Sequence, residues 1–316
     1  MMSKLLITGY RLLANLVISA RPRQWLKNLA LFAAPFFGAE ILNAGVLSRL
    51  FTAFLVFCVL SSAAYIFNDV VDRKRDRQHP VKKNRPIASG KFSVPIALLT
   101  AVVLTTGTLI FVAETFNQYF LGAGIGFVLL QLTYSLWIRN VIIMDALWVG
   151  AAFVLRVYAG AFILPTPISS WLVLSTIGLS LLLAFGKRRS ERTLLSKLHQ
   201  KLLTRQTLRH YPDTLLDSMI AMSATYTALT YSIFSFQTSP MGGSILLADL
   251  LPSTLSSPKW TLLTVPLVIY GVARYLYIIY EKKEGESPEK VILSDLPLLG
   301  TVLLWALISF TILYII

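Results

Sequence analysis

Nine long apolar runs, separated by short and mostly basic segments, constrain this chain more than any other feature. They fall at residues 26–44, 46–67, 92–113, 118–137, 141–163, 170–186, 217–237, 260–280 and 295–316. Hydrocarbon offers no water to unpaired amides and carbonyls, so a run of about 17 to 25 apolar residues crosses its ~30 Å as a helix. With 55% apolar and only 14% charged residues, and a mean hydropathy of +0.67, a soluble domain is excluded. The expectation is an all-α integral membrane protein, with residues 21–316 forming a single nine-span bundle free of Gly/Ser-rich or Pro-rich linkers. Residues 1–20 place Leu5, Leu6, Leu12, Leu13 and Leu16 around Arg11, with no small-residue cleavage site after them. That pattern predicts an interfacial helix and not a signal peptide.

Charge fixes the expected orientation. With the N-terminus in the cytoplasm, 25 of the 29 Lys and Arg residues fall in inside segments, Arg49 and Lys259 fall outside, and Arg156 and Arg274 lie within spans. A miscounted span near the middle would destroy this bias. The net charge of +14 follows from this asymmetry and an anionic leaflet, so no nucleic-acid partner is implied. Cys58, the one cysteine, excludes a disulfide within the chain and reads as an inert apolar residue.

The second run ends in Asn68-Asp69-Val70-Val71-Asp72-Arg73-Lys74-Arg75-Asp76, followed by His79-Pro80, Lys82, Lys83 and Arg85-Pro86. At about 100° per residue, Asp69, Asp72 and Asp76 lie near 0°, 300° and 340°, one stripe of a helix. Three carboxylates so close repel one another unless a cation intervenes, and oxygen-only ligands with room for water and phosphate suit Mg²⁺. An ordinary solvated charge run is the plainer alternative.

A second constellation runs from Tyr134 through Arg139 to Asp145, Arg156 and Gly160. Asp145 and Arg156 are eleven residues apart, so they share a helix face, with Arg156 well inside the bilayer. Buried ionisable groups face a cavity or a partner, and a structural ion pair is the alternative reading. Lys187, Arg188 and Arg189 end the sixth run, where the helix dipole alone favours cations. Arg21, Arg23 and Lys27, interleaved with Trp25, read first as interfacial anchors. No nucleophilic triad, no Walker or dinucleotide loop and no histidine ligand spacing is present. Phosphate chemistry at a membrane surface is what the residues leave.

The stretches Arg21 to Asn28, Asn68 to Pro86, Tyr134 to Asp145, Phe153 to Gly160, Gly186 to Glu191, Tyr270 to Tyr275 and Glu284 to Asp295 together resemble the UbiA superfamily of intramembrane prenyltransferases. Within it they are most similar to the branch that transfers phosphoribosyl to polyprenyl phosphates. The resemblance covers residues 21–316 and implies Mg²⁺, or Mn²⁺ in its place, held by Asn68, Asp69, Asp72 and Asp76, with Asp145 joining the catalytic carboxylates. It implies that Lys82, Arg85, Lys187 and Arg188 meet the phosphates of phosphoribosyl pyrophosphate, that Lys27, Arg156 and Arg189 meet the lipid phosphate, and that Tyr134 lines the substrate site. The enzyme so implied sits in the plasma (inner) membrane, faces the cytoplasm, serves cell-envelope glycan synthesis and is compatible with a homo-oligomer. The aromatic-prenylating branch carries a second Asp-x-x-x-Asp, whereas here Asp145 is followed by Val149 in the matching place. Transfer of a prenyl group to an aromatic acceptor is therefore the second reading. An organic-anion transporter, which also needs buried Arg and Asp, is the third.

Overall fold

The structure, a computed structural model, describes residues 13–79, 81–164, 167–197, 211–239, 259–282 and 288–315. Among these residues the secondary structure is helical throughout, with no strand. Backbone contacts group them into two compact units, residues 13–33 with 43–164, and residues 34–42 with 167–197 and 211–315. Among the described residues, seven helices are long and apolar enough to cross a membrane.

The first unit opens with helix α1 over 13–20 and a tight 3₁₀ helix, Pro22–Phe32. Helix α2 (Ala33–Phe37) and the turns after it lead through residues 34–42, which belong to the second unit, and the first unit resumes at Asn43, whose side chain accepts from Gly45 N at 3.0 Å to start α3. The expected first span, 26–44, is therefore not one regular α-helix. Pro22 sets the tight helical start, and Pro35 lacks the amide that would extend the ladder. Then come α3 (Ala44–Val71), α4 (Arg73–Arg77), α5 (Pro86–Ser89), α6 (Val94–Thr115), α7 (Gln118–Leu136) and α8 (Met144–Phe162). Trp25, expected as an interfacial anchor, donates its indole N–H to Ser62 Oγ at 3.0 Å, pinning the tight helix to α3. The tight helix also presses on α8, so closely that a Cβ at Gly160 would overlap the Leu31 carbonyl.

In the second unit, α9 (Ser170–Lys197) packs along α10 (Asp213–Thr238), with Gly178 against Thr227 and Tyr226. α10 has the length of a span, yet its Ser and Thr content keeps it out of the apolar seven. Ser218, Ser223, Thr227, Thr230 and Ser232 each donate to the carbonyl four residues back, which satisfies their hydroxyls without help from a neighbour. α11 (Val265–Tyr277) runs into a π-helical turn, Ile278–Lys282. α12 (Pro288–Ser294) and α13 (Leu296–Tyr314) complete the unit. Asp295 caps α13 by accepting from Leu298 N at 3.1 Å, and takes Arg274 through two bonds of 3.0 Å and Lys282 at 2.7 Å. Residues 34–42 are clamped into this unit: Phe37 lies edge-on to Phe234 at 4.7 Å, and Tyr314 Oη donates to Phe36 O at 2.9 Å.

Candidate active site

The expected carboxylate stripe exists. α3 passes into α4 through Asp72 with the helical ladder unbroken, Asp72 N bonding Asn68 O at 2.9 Å and Asp76 N bonding Asp72 O at 2.8 Å. Asp69, Asp72 and Asp76 are all buried. Carboxylates inside a protein need cations, and three arginines supply them. Asp69 pairs with Arg21, and its Oδ1 also lies 3.1 Å from Arg85 Nη1. The same Arg85 Nη1 stands 2.7 Å from Asp76 Oδ2. Asp72 Oδ1 takes Arg139 Nη1 at 2.5 Å, with Arg75 further off at 3.8 Å.

Each cation is placed by local folding. Arg85 precedes Pro86, which opens α5, and the chain is closed by Gly90 at φ +83°, a conformation glycine adopts without strain. This short fold-back buries Ile87 and Phe92 against Ile66 of α3, and Arg77 Nε donates to Ala88 O at 2.9 Å. Hydrophobic burial thus delivers Arg85 to the stripe. Arg21 sits just before Pro22 in the left-handed region (φ +53°), its guanidinium 5.0 Å from the Tyr65 ring centre. Proline disfavours the right-handed helical region for the residue before it, and a non-glycine residue at positive φ stores strain. Arg139 lies in the Ile138–Asn140 turn between α7 and α8 and is itself buried.

Among the described residues no three His, Cys, Asp or Glu side chains converge as a metal-binding group, because guanidinium groups stand between the aspartates. The donor chemistry nevertheless fits a hard divalent ion. All candidates are oxygen, and Asn68 Oδ1 is buried without a hydrogen-bond partner while its Nδ2 donates to Asp72 Oδ2 at 3.2 Å. An amide oxygen without a partner beside the Asp72 carboxylate is a donor type that such an ion accepts.

The other expected residues divide by unit. Asp145 is fully buried in the first turn of α8, where N-terminal amides favour a carboxylate. Tyr134 is half-buried on α7, and Lys82 is half-buried beside Arg85 in sequence. Lys27 is half-buried on the tight helix. Arg156 is buried, and its described contacts are with an amide, a carbonyl and a ring, not with a carboxylate. Its Nε donates to Asn28 Oδ1 at 2.8 Å, Nη1 donates to Ala152 O at 2.8 Å, and the guanidinium lies 4.6 Å from the Phe127 ring centre. Asn28, fully buried, also receives Ser61 Oγ at 3.3 Å. In the second unit Lys187 is half-buried, Arg188 pairs with Glu191 at 3.3 Å, and Arg189 is held by Asp217 at 2.8 Å and Asp213 at 3.5 Å. A role for those three on substrate phosphates rests on the resemblance alone. Arg21, Arg139 and Asn28 are the residues that sequence reasoning left without a role at the stripe or beneath it. Their signals were a pre-proline arginine, a lone cation between two helices and an amide among apolar neighbours.

A bundle of membrane-spanning helices carrying a buried Asn-Asp stripe laced with arginine defines a class, and the chain belongs to it: residues 29–190 match the UbiA prenyltransferase family. Over most of its length the chain is similar to enzymes of one kind. It is 30% identical to the decaprenyl-phosphate phosphoribosyltransferase of Mycolicibacterium smegmatis, covering 93% of this chain and 91% of that one. It is 32% identical to the Corynebacterium glutamicum enzyme of the same name, covering 92% and 84%. Among solved structures, a UbiA homologue from Archaeoglobus fulgidus bound to DMAPP and Mg²⁺ superimposes with a TM-score of 0.68 at 20% identity, covering 96% of this chain and 100% of that one. The same homologue bound to GPP and Mg²⁺ gives 0.69, covering 95% and 99%. The chain is thus a multi-pass membrane protein with the UbiA fold.

Proposed function

We propose that this protein transfers phosphoribosyl from phosphoribosyl pyrophosphate to a polyprenyl phosphate. A lipid phosphate oxygen bonds to the anomeric carbon of ribose, the bond from that carbon to the pyrophosphate oxygen breaks, and pyrophosphate leaves with the bonding pair. Similarity over 93% of the chain to a decaprenyl-phosphate phosphoribosyltransferase is the main support. The observation in the site that carries the reading is its density of cations. Arg21, Arg85 and Arg139 already match the three aspartates, and among the described residues Lys27 and Arg73 add cations that pair with no carboxylate, as a polyanionic donor and an anionic acceptor require.

A phosphate monoester has a second pKa near 6, so the acceptor is already a nucleophilic anion and needs no general base. The chain's contribution is positioning and charge. Asp69, Asp72, Asp76 and Asn68 would hold Mg²⁺, for which Mn²⁺ can substitute, and the ion when bound neutralises charge growing on the departing pyrophosphate. Lys82 and Arg85 meet donor phosphates. Lys27 meets the lipid phosphate, since Arg156 is bonded to Asn28 and Arg189 to two aspartates. Asp145 and Tyr134 complete the site wall. We place the site on the cytoplasmic face of the plasma membrane in a nine-crossing chain. At about 2.0 Å per residue Pro22–Phe32 extends roughly 22 Å, and α10 has a span's length.

Labelled ribose from phosphoribosyl pyrophosphate should enter an organic-extractable lipid when membranes containing the protein receive polyprenyl phosphate. Label confined to the aqueous phase, with prenyl transfer from a prenyl diphosphate to an aromatic acceptor, would favour the prenyltransferase reading.

A further inference from the structure

Arg85 occupies a singular position. One nitrogen, Nη1, lies 3.1 Å from Asp69 Oδ1 and 2.7 Å from Asp76 Oδ2, bridging two carboxylates seven residues apart on the stripe. A cation held between two buried carboxylate oxygens does there what a small divalent ion would do. The three arginines differ in how freely they could leave. Arg139 is buried against Asp72, and Arg21, as exposed as Arg85, has its guanidinium held over the Tyr65 ring, 5.0 Å from its centre. Arg85, with a side chain 25% exposed at the end of a loop, can swing toward solvent without unpacking the core.

We propose that Arg85 is an exchangeable counter-ion: in the substrate-free protein it neutralises Asp69 and Asp76, and arrival of a divalent ion together with a pyrophosphate group transfers its guanidinium from carboxylate to phosphate. The inference rests on the reading that the stripe holds a divalent ion. Its consequence is coupling. While Arg85 sits between the carboxylates, a divalent ion alone must displace it and leave the guanidinium without an anionic partner. With pyrophosphate present the guanidinium has a new anionic partner, and planar N–H groups suit phosphate oxygens. Ion and pyrophosphate therefore promote each other's binding, and by linkage the factor is the same in both directions. No carboxylate is left without a cation at any stage.

The test uses the full-length protein in detergent, with free Mn²⁺ measured by electron paramagnetic resonance, with and without inorganic pyrophosphate. Wild-type protein should bind Mn²⁺ weakly alone and about tenfold or more tightly with pyrophosphate, because a competent state held closed by Arg85 lowers apparent affinity by its population. Arg85→Gln should reverse both terms, binding Mn²⁺ alone about tenfold more tightly than wild type and losing most of the pyrophosphate enhancement. Its melting temperature should fall in EDTA and recover with Mn²⁺ by more than the wild type gains. Arg75→Gln, altering a more exposed arginine 3.8 Å from Asp72, should track the wild type. If the Gln variant does not fold, Arg85→Lys serves: an ammonium can bridge the two carboxylates but lacks the planar N–H fork that suits phosphate, so Mn²⁺ alone binds as in wild type and the pyrophosphate enhancement shrinks. Weaker Mn²⁺ binding by Arg85→Gln, an intact pyrophosphate enhancement, or a Lys variant indistinguishable from wild type overturns the exchange alone. Failure of wild-type protein to bind Mn²⁺ under either condition overturns the divalent-ion reading, and the exchange with it.

Discussion

At the residue scale, the aspartates are not equivalent. Asp72 is the close partner of buried Arg139, whereas Arg85 bridges Asp76 and Asp69 and keeps a carboxylate if Asp76 is lost. Arg139 is also more deeply buried than Arg85, so Asp72→Asn should destabilise the protein more than Asp76→Asn. Both should lower phosphoribosyl transfer by about a hundredfold, some 2.7 kcal/mol of transition-state stabilisation. Melting curves in detergent beside initial rates separate the effects, and near wild-type turnover of Asp76→Asn would remove the stripe from the chemistry. The stripe was legible in sequence because a helical period compresses Asp69, Asp72 and Asp76 into one face. Their partners were not, since the pairings with Arg21 and Arg139 span 48 and 67 residues and no local period encodes them. Arg156 illustrates the same limit. Its depth was readable, but its bond to Asn28, 128 residues away, comes from the close approach of two helices.

At the scale of elements, two glycines with the same letter have opposite meanings. Gly160 meets the Leu31 carbonyl, so Gly160→Ala should push α8 off the tight helix and cost at least about 1–3 kcal/mol of overpacking, with Arg156 and Asn28 pulled apart. Gly107 in α6 has nothing within 4 Å of an added Cβ, so Gly107→Ala should raise stability by about 1 kcal/mol through helix propensity. Equal effects of the two substitutions on melting would refute the close approach. Asp295 supplies a pH dependence. Arg274 hydrogen-bonds its carboxylate, with Lys282 and the Leu298 amide assisting against the cost of burial, and holds its pKa well below the ordinary 3.8. A depressed carboxylate pKa stabilises the fold fully above the ordinary value and loses that contribution as pH falls toward the folded one. The melting temperature of wild type should thus exceed that of Asp295→Asn from pH 7 to about 5, and the gap should begin to narrow below about pH 4. A gap unchanged to pH 3 would show the pairing to be irrelevant to stability. Span positions were mostly legible because apolar runs are long. The exceptions have physical causes: prolines break the regular α-helix expected over 26–44, and α10 hides its hydroxyls by bonding its own backbone.

At the scale of the whole molecule, the bias of 25 basic residues to one side predicts that the loops after α3 and α9 face the cytoplasm. Gln78→Cys and Gln200→Cys, each in a Cys58→Ser background that keeps an acceptor for Asn28, should react only with reagents that cross the membrane. Labelling from outside intact cells would invert the topology and cut the site off from its soluble donor. The clamp on residues 34–42 has a consequence in time. Phe36 receives its bond from Tyr314, 278 residues later, and at about 5–20 residues per second roughly 14–56 s of synthesis separate the two. The carboxylate stripe and Arg21, Arg85 and Arg139 are all made within the first 139 residues, while the Phe36–Phe37 segment waits for the last helix to leave the ribosome. A nascent chain thus has the parts of its charge lattice long before its second unit can close, and translation stalled ahead of α13 would leave that apolar segment without its final partners.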